Sequence, residues 1–399
     1  MMAEQTVQRS DSSPETTTRW RILPDIPWAV PFWSYREAIV SVASLARGRI
    51  VSGPSAGRAE VLVAKTLGLR YVMAVNRGRT ALELALFALD LPYESEVLIP
   101  AYICASVPEA VARRGFRPIR VPVGKDLHLD PDSLEAAITP QTRAAIVPHL
   151  FGHSAQIERI VAWCADRGLR VIDDAAQCFG NTRGGRMLGS FGDCGIVCCG
   201  PGKLLSGPAG GFFVTSNPEL FERARTFPLE SEAATTVLRR VGEFWFWRRA
   251  RRYTWLAERL AERMGYTPIG AGHQCARLAQ LDAALVGSQI VKRSVHAARL
   301  RQAGLVLRDA LESQYPGRVA GTWDEETVPL KIALLLRPGK PFKRTLAELR
   351  GHGIEAVEGY RPGSYDGWIV GMEGPMTTLW VSVNLSLPLR VVRRLRRTT

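Results

Sequence analysis

Short runs of apolar, often β-branched residues alternate along the first half of the chain with stretches whose apolar positions recur every three or four residues. Tyr71–Val75, Glu96–Pro100, Pro118–Val121, Ala144–Val147, Leu169–Asp174, Cys194–Cys199 and Gly211–Thr215 read as strands. Helical spacing predicts helices over Ala81–Leu89, Ser106–Arg114 and Asp132–Ala137, with another between Val147 and Leu169. Many of the strands are apolar at consecutive positions, the pattern of a strand covered on both faces. The alternation therefore predicts an α/β fold with a mainly parallel sheet flanked by helices. A helix over Tyr35–Ala46, stopped by Arg47-Gly48, precedes it.

Near residue 230 the texture changes. Phe244-Trp245-Phe246-Trp247 runs into Arg248-Arg249-Ala250-Arg251-Arg252-Tyr253, an aromatic and basic segment. Packing against a partner chain and contact with an anionic membrane surface both suit that composition, and packing is the plainer reading. Helical spacing resumes from Ala276 to Val286 and on to about Ser313. The apolar run Val328–Leu336, a helix over Lys343–Gly351 and a strand over Trp380–Val383 complete a smaller α+β unit. The expected division is an N-terminal tail and extended arm (1–35), a large α/β domain (36–260) and a small C-terminal α+β domain (261–399). The arm is rich in Pro and Trp, and the chain closes on the basic run Arg390–Arg397.

Composition narrows the class. The 399 residues suffice for two domains, and 46% apolar with 23% charged residues is ordinary globular usage. No stretch approaches the roughly 18 apolar residues of a membrane span, and the polar first twenty residues lack the apolar centre of a secretory signal. A cytoplasmic protein is the expectation. The seven cysteines (Cys104, Cys164, Cys178, Cys194, Cys198, Cys199 and Cys275) contain no CxxC pair, which argues against zinc and a disulfide framework. A net charge of +14 suits an anionic partner such as a nucleotide or phosphate.

Three strand ends carry candidate chemistry. Asn76-Arg77-Gly78-Arg79-Thr80 lies between a strand and a helix, where unpaired N–H groups and the helix dipole favour a phosphate, although a tight turn is the plainer reading. Val171-Ile172-Asp173-Asp174-Ala175-Ala176-Gln177 places two carboxylates at the carboxyl end of a strand, as ligand groups or as a helix cap. Asp173 should take the opposite face from Asp174 and pair structurally. Lys203 follows a further strand in the loop Gly200-Pro201-Gly202. A lysine, a carboxylate and phosphate donors are the groups that pyridoxal phosphate requires.

From about Arg36 to Leu389 the chain resembles the DegT/DnrJ/EryC1/StrS sugar aminotransferases, fold-type I pyridoxal phosphate enzymes. The resemblance is carried by Gly78–Leu86, Val97–Tyr102, Leu129-Asp130-Pro131 through Ile138-Thr139-Pro140, Val147–Gly152, Val171–Gly180, Gly189–Asp193 and Leu385–Leu389. It implies a seven-stranded PLP-transferase sheet with Lys203 as the Schiff-base lysine and catalytic residue. It also implies Asp174 against the pyridinium nitrogen, Gln177 at the phenolic oxygen, Gly78 and Arg79 in the phosphate cup, and His149 near the cofactor. Where the family commonly stacks an aromatic on the ring this chain has Cys104, with Tyr102 two residues earlier as a substitute or with weaker stacking as the alternative. Cys198 replaces a serine that usually contacts the phosphate, and Gly200, Gly202 and Leu204 also depart from the family pattern.

The resemblance implies transfer of an amino group from an amino acid donor, glutamate or glutamine, to a keto sugar, nucleotide-linked, or to a keto cyclitol. It implies a homodimer with shared active sites, Arg277 lying where the partner approaches, and no nucleic acid. Two rivals are a pyridoxamine-phosphate-dependent sugar deoxygenase or dehydratase, and a non-catalytic binding or regulatory protein on the same fold. The first typically has histidine in place of the lysine, so Lys203 counts against it. Lys203, Asp174 and Gln177 together count against the second. His153, after the Gly152 turn, could line the pocket, with a polar loop residue as the plainer reading.

Overall fold

A computed structural model describes residues 33–200, 202–250, 274–360, 369–370, 372, 376–383, 391–393 and 395. The N-terminal tail and most of the arm, the segment from Arg251, the Leu385–Leu389 motif and most of the basic C-terminal run lie outside the described residues.

The seven strands of the large domain are β1 (Tyr71–Val75), β2 (Glu96–Pro100), β3 (Arg117–Val121), β4 (Thr142–Pro148), β5 (Arg170–Asp174), β8 (Cys194–Cys198) and β9 (Gly211–Thr215). The two-residue strands β6 (Thr182–Arg183) and β7 (Arg186–Met187) form a separate hairpin. The sheet order is β1-β9-β8-β5-β4-β2-β3. β9 runs antiparallel to β1 and β8, and every other neighbouring pair is parallel. The carboxyl ends of β1, β2, β4, β5 and β8 therefore share one edge, the edge at which open α/β sheets bind ligands.

The consecutive apolar positions of these strands are used on both faces. Val97 and Ile99 pack with α3 (Gly78–Ala88) and α4 (Ser106–Arg113), while Leu98 between them packs with α5 (Ile157–Ala165). On the β1–β9–β8 side, Ala74, Val197 and Phe212 pack with α2 (Ser55–Leu67) and α8 (Gln280–Gln314). Two-sided burial is why these strands lack an apolar–polar alternation.

Helix α1 occupies Tyr35–Ala46, as its spacing predicts. The helix expected over Asp132–Ala137 is instead a single 3-10 turn, Pro131–Ser133. Ser133 donates through its hydroxyl to Asp130 Oδ2 (2.6 Å), and Leu134 is buried directly after it, so the chain turns inward before a second helical turn forms. Helix α8 starts at Gln280 rather than Ala276, because Ala276 and Arg277 are held extended in bridges to Glu230 and Val75.

The small domain has a three-stranded antiparallel sheet, β10 (Lys331–Leu336), β12 (Thr377–Ser382) and β11 (Val357–Glu358), in the order β10-β12-β11, with α9 (Lys340–Gly351) packed on it. Helix α8 serves both domains. Ala283, Val286 and Ile290 join the large-domain core, and Leu300, Leu307 and Leu311 join the small-domain core. The packing thus carries the large-domain core beyond residue 260 as far as Ile290.

In the remaining helices, α6 (Pro218–Arg225) covers the β1 side, and α7 (Ala234–Ala250) bears the aromatic segment. Phe244 and Trp245 of α7 stack around Trp33, with ring centroids 4.5 and 4.7 Å away. Packing within the chain accounts for those two; the basic half of the segment lies outside the described side chains. Among the described residues no helix is long and apolar enough to cross a membrane.

Candidate active site

The turn after β1 is anchored by Asn76. Its backbone N–H donates to Ala276 O (2.9 Å), its Nδ2 donates to Gln274 O (2.9 Å), and its Oδ1 accepts from Thr80 Oγ1 (2.8 Å). Arg77 holds the N-cap position of α3 in an extended conformation, and its own side chain does not cap the helix. Its first N–H groups therefore face the strand-end edge with the positive end of the helix dipole, a favourable seat for an anion. Gly78 is needed there because a Cβ would lie 2.7 Å from both Cβ and Sγ of Cys198 at the end of β8. The Gly78 N–H donates to the Cys198 thiol, and burial raises that thiol's pKa, keeping it neutral. Arg79 is half-buried in the first turn of α3.

At the end of β5 the two aspartates diverge, as a strand's period of two requires. Asp173 is saturated: Oδ2 accepts from Gly189 N–H (2.8 Å) and Phe191 N–H (2.9 Å), and Oδ1 lies 2.7 Å from His149 Nε2. His149 Nδ1 accepts from Ala155 N–H (3.0 Å), so the ring proton sits on Nε2 and points to Asp173. His149 is thus the support of Asp173, buried beneath the site edge.

Asp174 has a different environment. Oδ1 accepts from Ala176 N–H (2.9 Å), the one hydrogen bond to its carboxyl among the described residues. Burial pushes its pKa up; Ala176 N–H, Lys203 and His149 pull it back, and Asp173 adds to the rise. In this state the carboxyl is held above its ordinary range, whereas a pyridinium beside it would reverse the shift. Gln177 accepts at Oε1 from Phe151 N–H (3.2 Å), which orients its amide. Its Nε2 donates one N–H to Tyr360 (3.2 Å).

Lys203 stands in a loop folded back on itself. Lys203 N–H donates to Gly200 O (3.1 Å), Gly200 N–H to Leu205 O (3.0 Å), and Cys199 N–H to Gly210 O (2.8 Å). Gly210 N–H donates in turn to Asn76 O (2.7 Å), tying this loop to the α3 turn. From outside, the Trp33 indole donates to Ser206 O (2.6 Å). Lys203 follows β8, and Asp174 ends the neighbouring parallel strand β5; the Lys203 charge acts on Asp174 and Cys198.

Cys104 is half-buried and accepts from Ser106 Oγ (3.1 Å). Tyr102, the expected substitute for the missing stacking aromatic, is tied to the small domain. Tyr102 is fully buried, its hydroxyl pairs with Thr378 Oγ1 (2.6 Å) and accepts from Trp380 Nε1 (2.8 Å), and its ring is enclosed between the domains. His153 is likewise buried, its Nδ1 2.8 Å from Thr322 O and its ring against Trp323, away from the pocket. Arg277 is exposed, and its backbone bridges to Val75.

The sequence reading missed Lys331, Tyr360 and Trp380. The one signal was a lysine opening an otherwise apolar run, Lys331-Ile332-Ala333-Leu334-Leu335-Leu336.

The residues present fit pyridoxal phosphate. A helix start with a glycine pressed against its neighbour suits the phosphate. A buried carboxylate whose pKa burial raises suits a ring cation that would lower it again, and a lysine lies in the loop after the neighbouring strand.

The sequence profile of the DegT/DnrJ/EryC1/StrS aminotransferase family matches residues 36–388. The spore coat polysaccharide biosynthesis protein SpsC of Bacillus subtilis (strain 168) is 30% identical over 205 residues, which are 51% of this chain and 53% of that protein. The match thus spans about half the length of this curated relative. PseC of Helicobacter pylori, an aminotransferase of pseudoaminic acid biosynthesis, shares the fold at a TM-score of 0.73 and 17% identity, covering 94% of this chain and 97% of its own. The E. coli GDP-4-keto-6-deoxy-D-mannose-3-dehydratase does so at 0.72 and 17%, covering 94% and 99%. With a profile match running almost from α1 to the end of the small domain, this chain belongs to the DegT/DnrJ/EryC1/StrS aminotransferase family, whose cofactor is pyridoxal phosphate.

Proposed function

We propose that the protein moves an amino group from an amino acid, glutamate or glutamine, to a keto sugar, nucleotide-linked, or to a keto cyclitol. The observation that carries this is the placement of Asp174 at the carboxyl end of β5 and of Lys203 in the loop after its parallel neighbour β8, beside the start of α3. When bound, pyridoxal phosphate supplies the carrier of the amino group and the sink for the electrons released at the substrate carbon.

The chain's own residues do the rest. The first N–H groups of α3, with Arg79, hold the phosphate. Asp174, ionised against the ring cation, keeps the ring nitrogen protonated. Gln177 has a second Nε2 hydrogen beyond the one given to Tyr360, and it orients the ring through the phenolic oxygen. Lys203 Nζ takes the proton from the donor's α-carbon and later delivers one to the acceptor carbon. His149 works at one remove, holding Asp173 and through it the loop at Gly189–Phe191.

Retention of lysine favours amine transfer over the dehydration named for the E. coli neighbour. A homodimer completes the reading, as membership of the family suggests. Sedimentation of a fully active monomer would refute that part.

The test of the reaction is mass spectrometry of products from a panel of keto sugars with several amino donors. Lys203→Ala is expected to lose nearly all amine transfer, a loss of orders of magnitude in rate. Conversion of a keto sugar to its amine by Lys203→Ala at the wild-type rate would sink the assignment, and loss of water in place of gain of an amine would favour the dehydratase.

A further inference from the structure

Helix α1 is built inside out. Its buried positions are Glu37, Ser41 and Ser44, and Glu37 is bonded to α8 through Lys292 Nζ (2.7 Å), Ser288 Oγ (2.7 Å) and Gln289 Nε2 (2.8 Å). The apolar side chains turn the other way. Tyr35, Ile39, Val42 and Leu45 are between 46% and 77% exposed, and their spacing of three or four residues sets them in one stripe along the helix. A surface helix ordinarily gives its apolar stripe to the core, so an outward stripe marks a surface that meets something else. Beside Lys292, Val291 and Val295 of α8 are exposed as well.

The charges along this helix have one sign on the outside. Arg36 in the first turn and Arg47 and Arg49 just past the last are exposed, whereas Glu37, the single acid of α1, is buried and paired with Lys292. Arg299, one turn beyond Val295 on α8, is exposed too. An apolar stripe with cations at both ends and no exposed acid suits the boundary of an anionic lipid layer, with the stripe among the acyl chains and the arginines at the headgroups. A second copy of the chain suits it poorly. A two-fold contact sets the same face against itself, arginine against arginine, with no carboxylate on α1 free to answer them.

We propose that α1 docks the protein on the surface of an anionic membrane, lying in the plane of the headgroups with Tyr35, Ile39 and Val42 turned into the lipid. Its twelve residues are too few to span a bilayer, so the chain rests on the membrane and does not cross it. The contact joins a small apolar area to the attraction between arginines and lipid phosphates. Attachment is therefore reversible and weakens as salt rises. It is independent of the reaction assigned above.

Flotation of the full chain with lipid vesicles is the test. Wild type is expected to float with vesicles of phosphatidylglycerol and phosphatidylcholine in equal parts, to stay behind with phosphatidylcholine alone, and to be released from the anionic vesicles by high salt. Ile39→Ser combined with Val42→Ser alters exposed side chains and should weaken partition onto the anionic vesicles by roughly tenfold or more. Arg47→Gln combined with Arg49→Gln should weaken it by a similar factor, roughly tenfold or more, and lysine at both positions should bind as wild type does. Wild type that does not float with the anionic vesicles at low salt overturns the proposal. Undiminished flotation of the Ile39→Ser, Val42→Ser variant does so too, since the lipid contact then lies on another surface. Sedimentation without lipid reads the alternative occupant: if that double variant falls from the wild-type assembly to a smaller species, the stripe belongs to a second copy of the chain and the membrane assignment is wrong.

Discussion

One step along a strand separates a carboxylate saturated by structural hydrogen bonds from one that accepts a single one among the described residues. Asp173 spends both oxygens on His149, Gly189 and Phe191, while Asp174 turns to the pocket with one backbone donor. This divergence was legible in the sequence, since adjacent strand residues must face opposite ways. The use of Tyr102 was not. Tyr102→Phe leaves Trp380 Nε1 and Thr378 Oγ1 without this partner, at a cost of about 1–3 kcal/mol read from the urea unfolding midpoint. The bound cofactor's absorbance maximum should not move; a shift would return Tyr102 to the ring. At Cys198 the thiol is a poor donor beside a phosphate seat. Cys198→Ser adds a hydroxyl there and is expected to tighten cofactor binding by about 1 kcal/mol, roughly fivefold, in titrations of the apoprotein. Weaker binding would remove Cys198 from the cup.

At the scale of elements, α1 shows why its ends were readable. Ser34 and Glu37 form a capping box, and the same Glu37 is reached by Lys292 (2.7 Å) and Ser288 (2.7 Å) from α8. Burial pushes the Glu37 carboxyl up, but Lys292, the Ser34 N–H and Ser288 outweigh it and hold the pKa at about 2 against an ordinary 4.5. A depressed acid stabilises the fold fully above pH 4.5, and that contribution is lost as pH falls from 4.5 toward 2. Glu37→Gln should therefore lose about 3 kcal/mol at pH 7 and flatten the acid limb of unfolding in that window. An unchanged limb would place the acid sensitivity elsewhere. The cap and the helical spacing are local, which is why sequence located this helix to the residue. Elements decided by distant contacts were misread. The 3-10 turn at Pro131 ends because Leu134 is drawn inward, and α8 starts late because Ala276 and Arg277 are bridged to remote strands.

At the scale of the whole molecule the two domains are clasped at His153, whose Nδ1 lies 2.8 Å from the Thr322 carbonyl oxygen. Its Nε2 is buried without a hydrogen-bond partner among the described residues, and burial lowers the pKa from 6.5 to about 4. The unfolded chain takes up the proton first on acidification. Stability from this residue is full above pH 6.5 and falls between 6.5 and 4, by about 3 kcal/mol in all. Comparing unfolding free energies of wild type and His153→Gln across that range isolates the effect, and equal slopes would refute it. The sequence by itself determined the strand–helix alternation, the family motifs and the candidate set Lys203, Asp174 and Gln177, because periodicity and motif spacing are properties of neighbouring residues. Only the tertiary structure decided that Tyr102 belongs to the junction with Thr378 and Trp380, that His149 supports Asp173, and that the Lys331 ammonium lies over the Trp380 ring. Burial and pairing depend on partners far away in the chain, and no local pattern encodes which face of which strand will meet them.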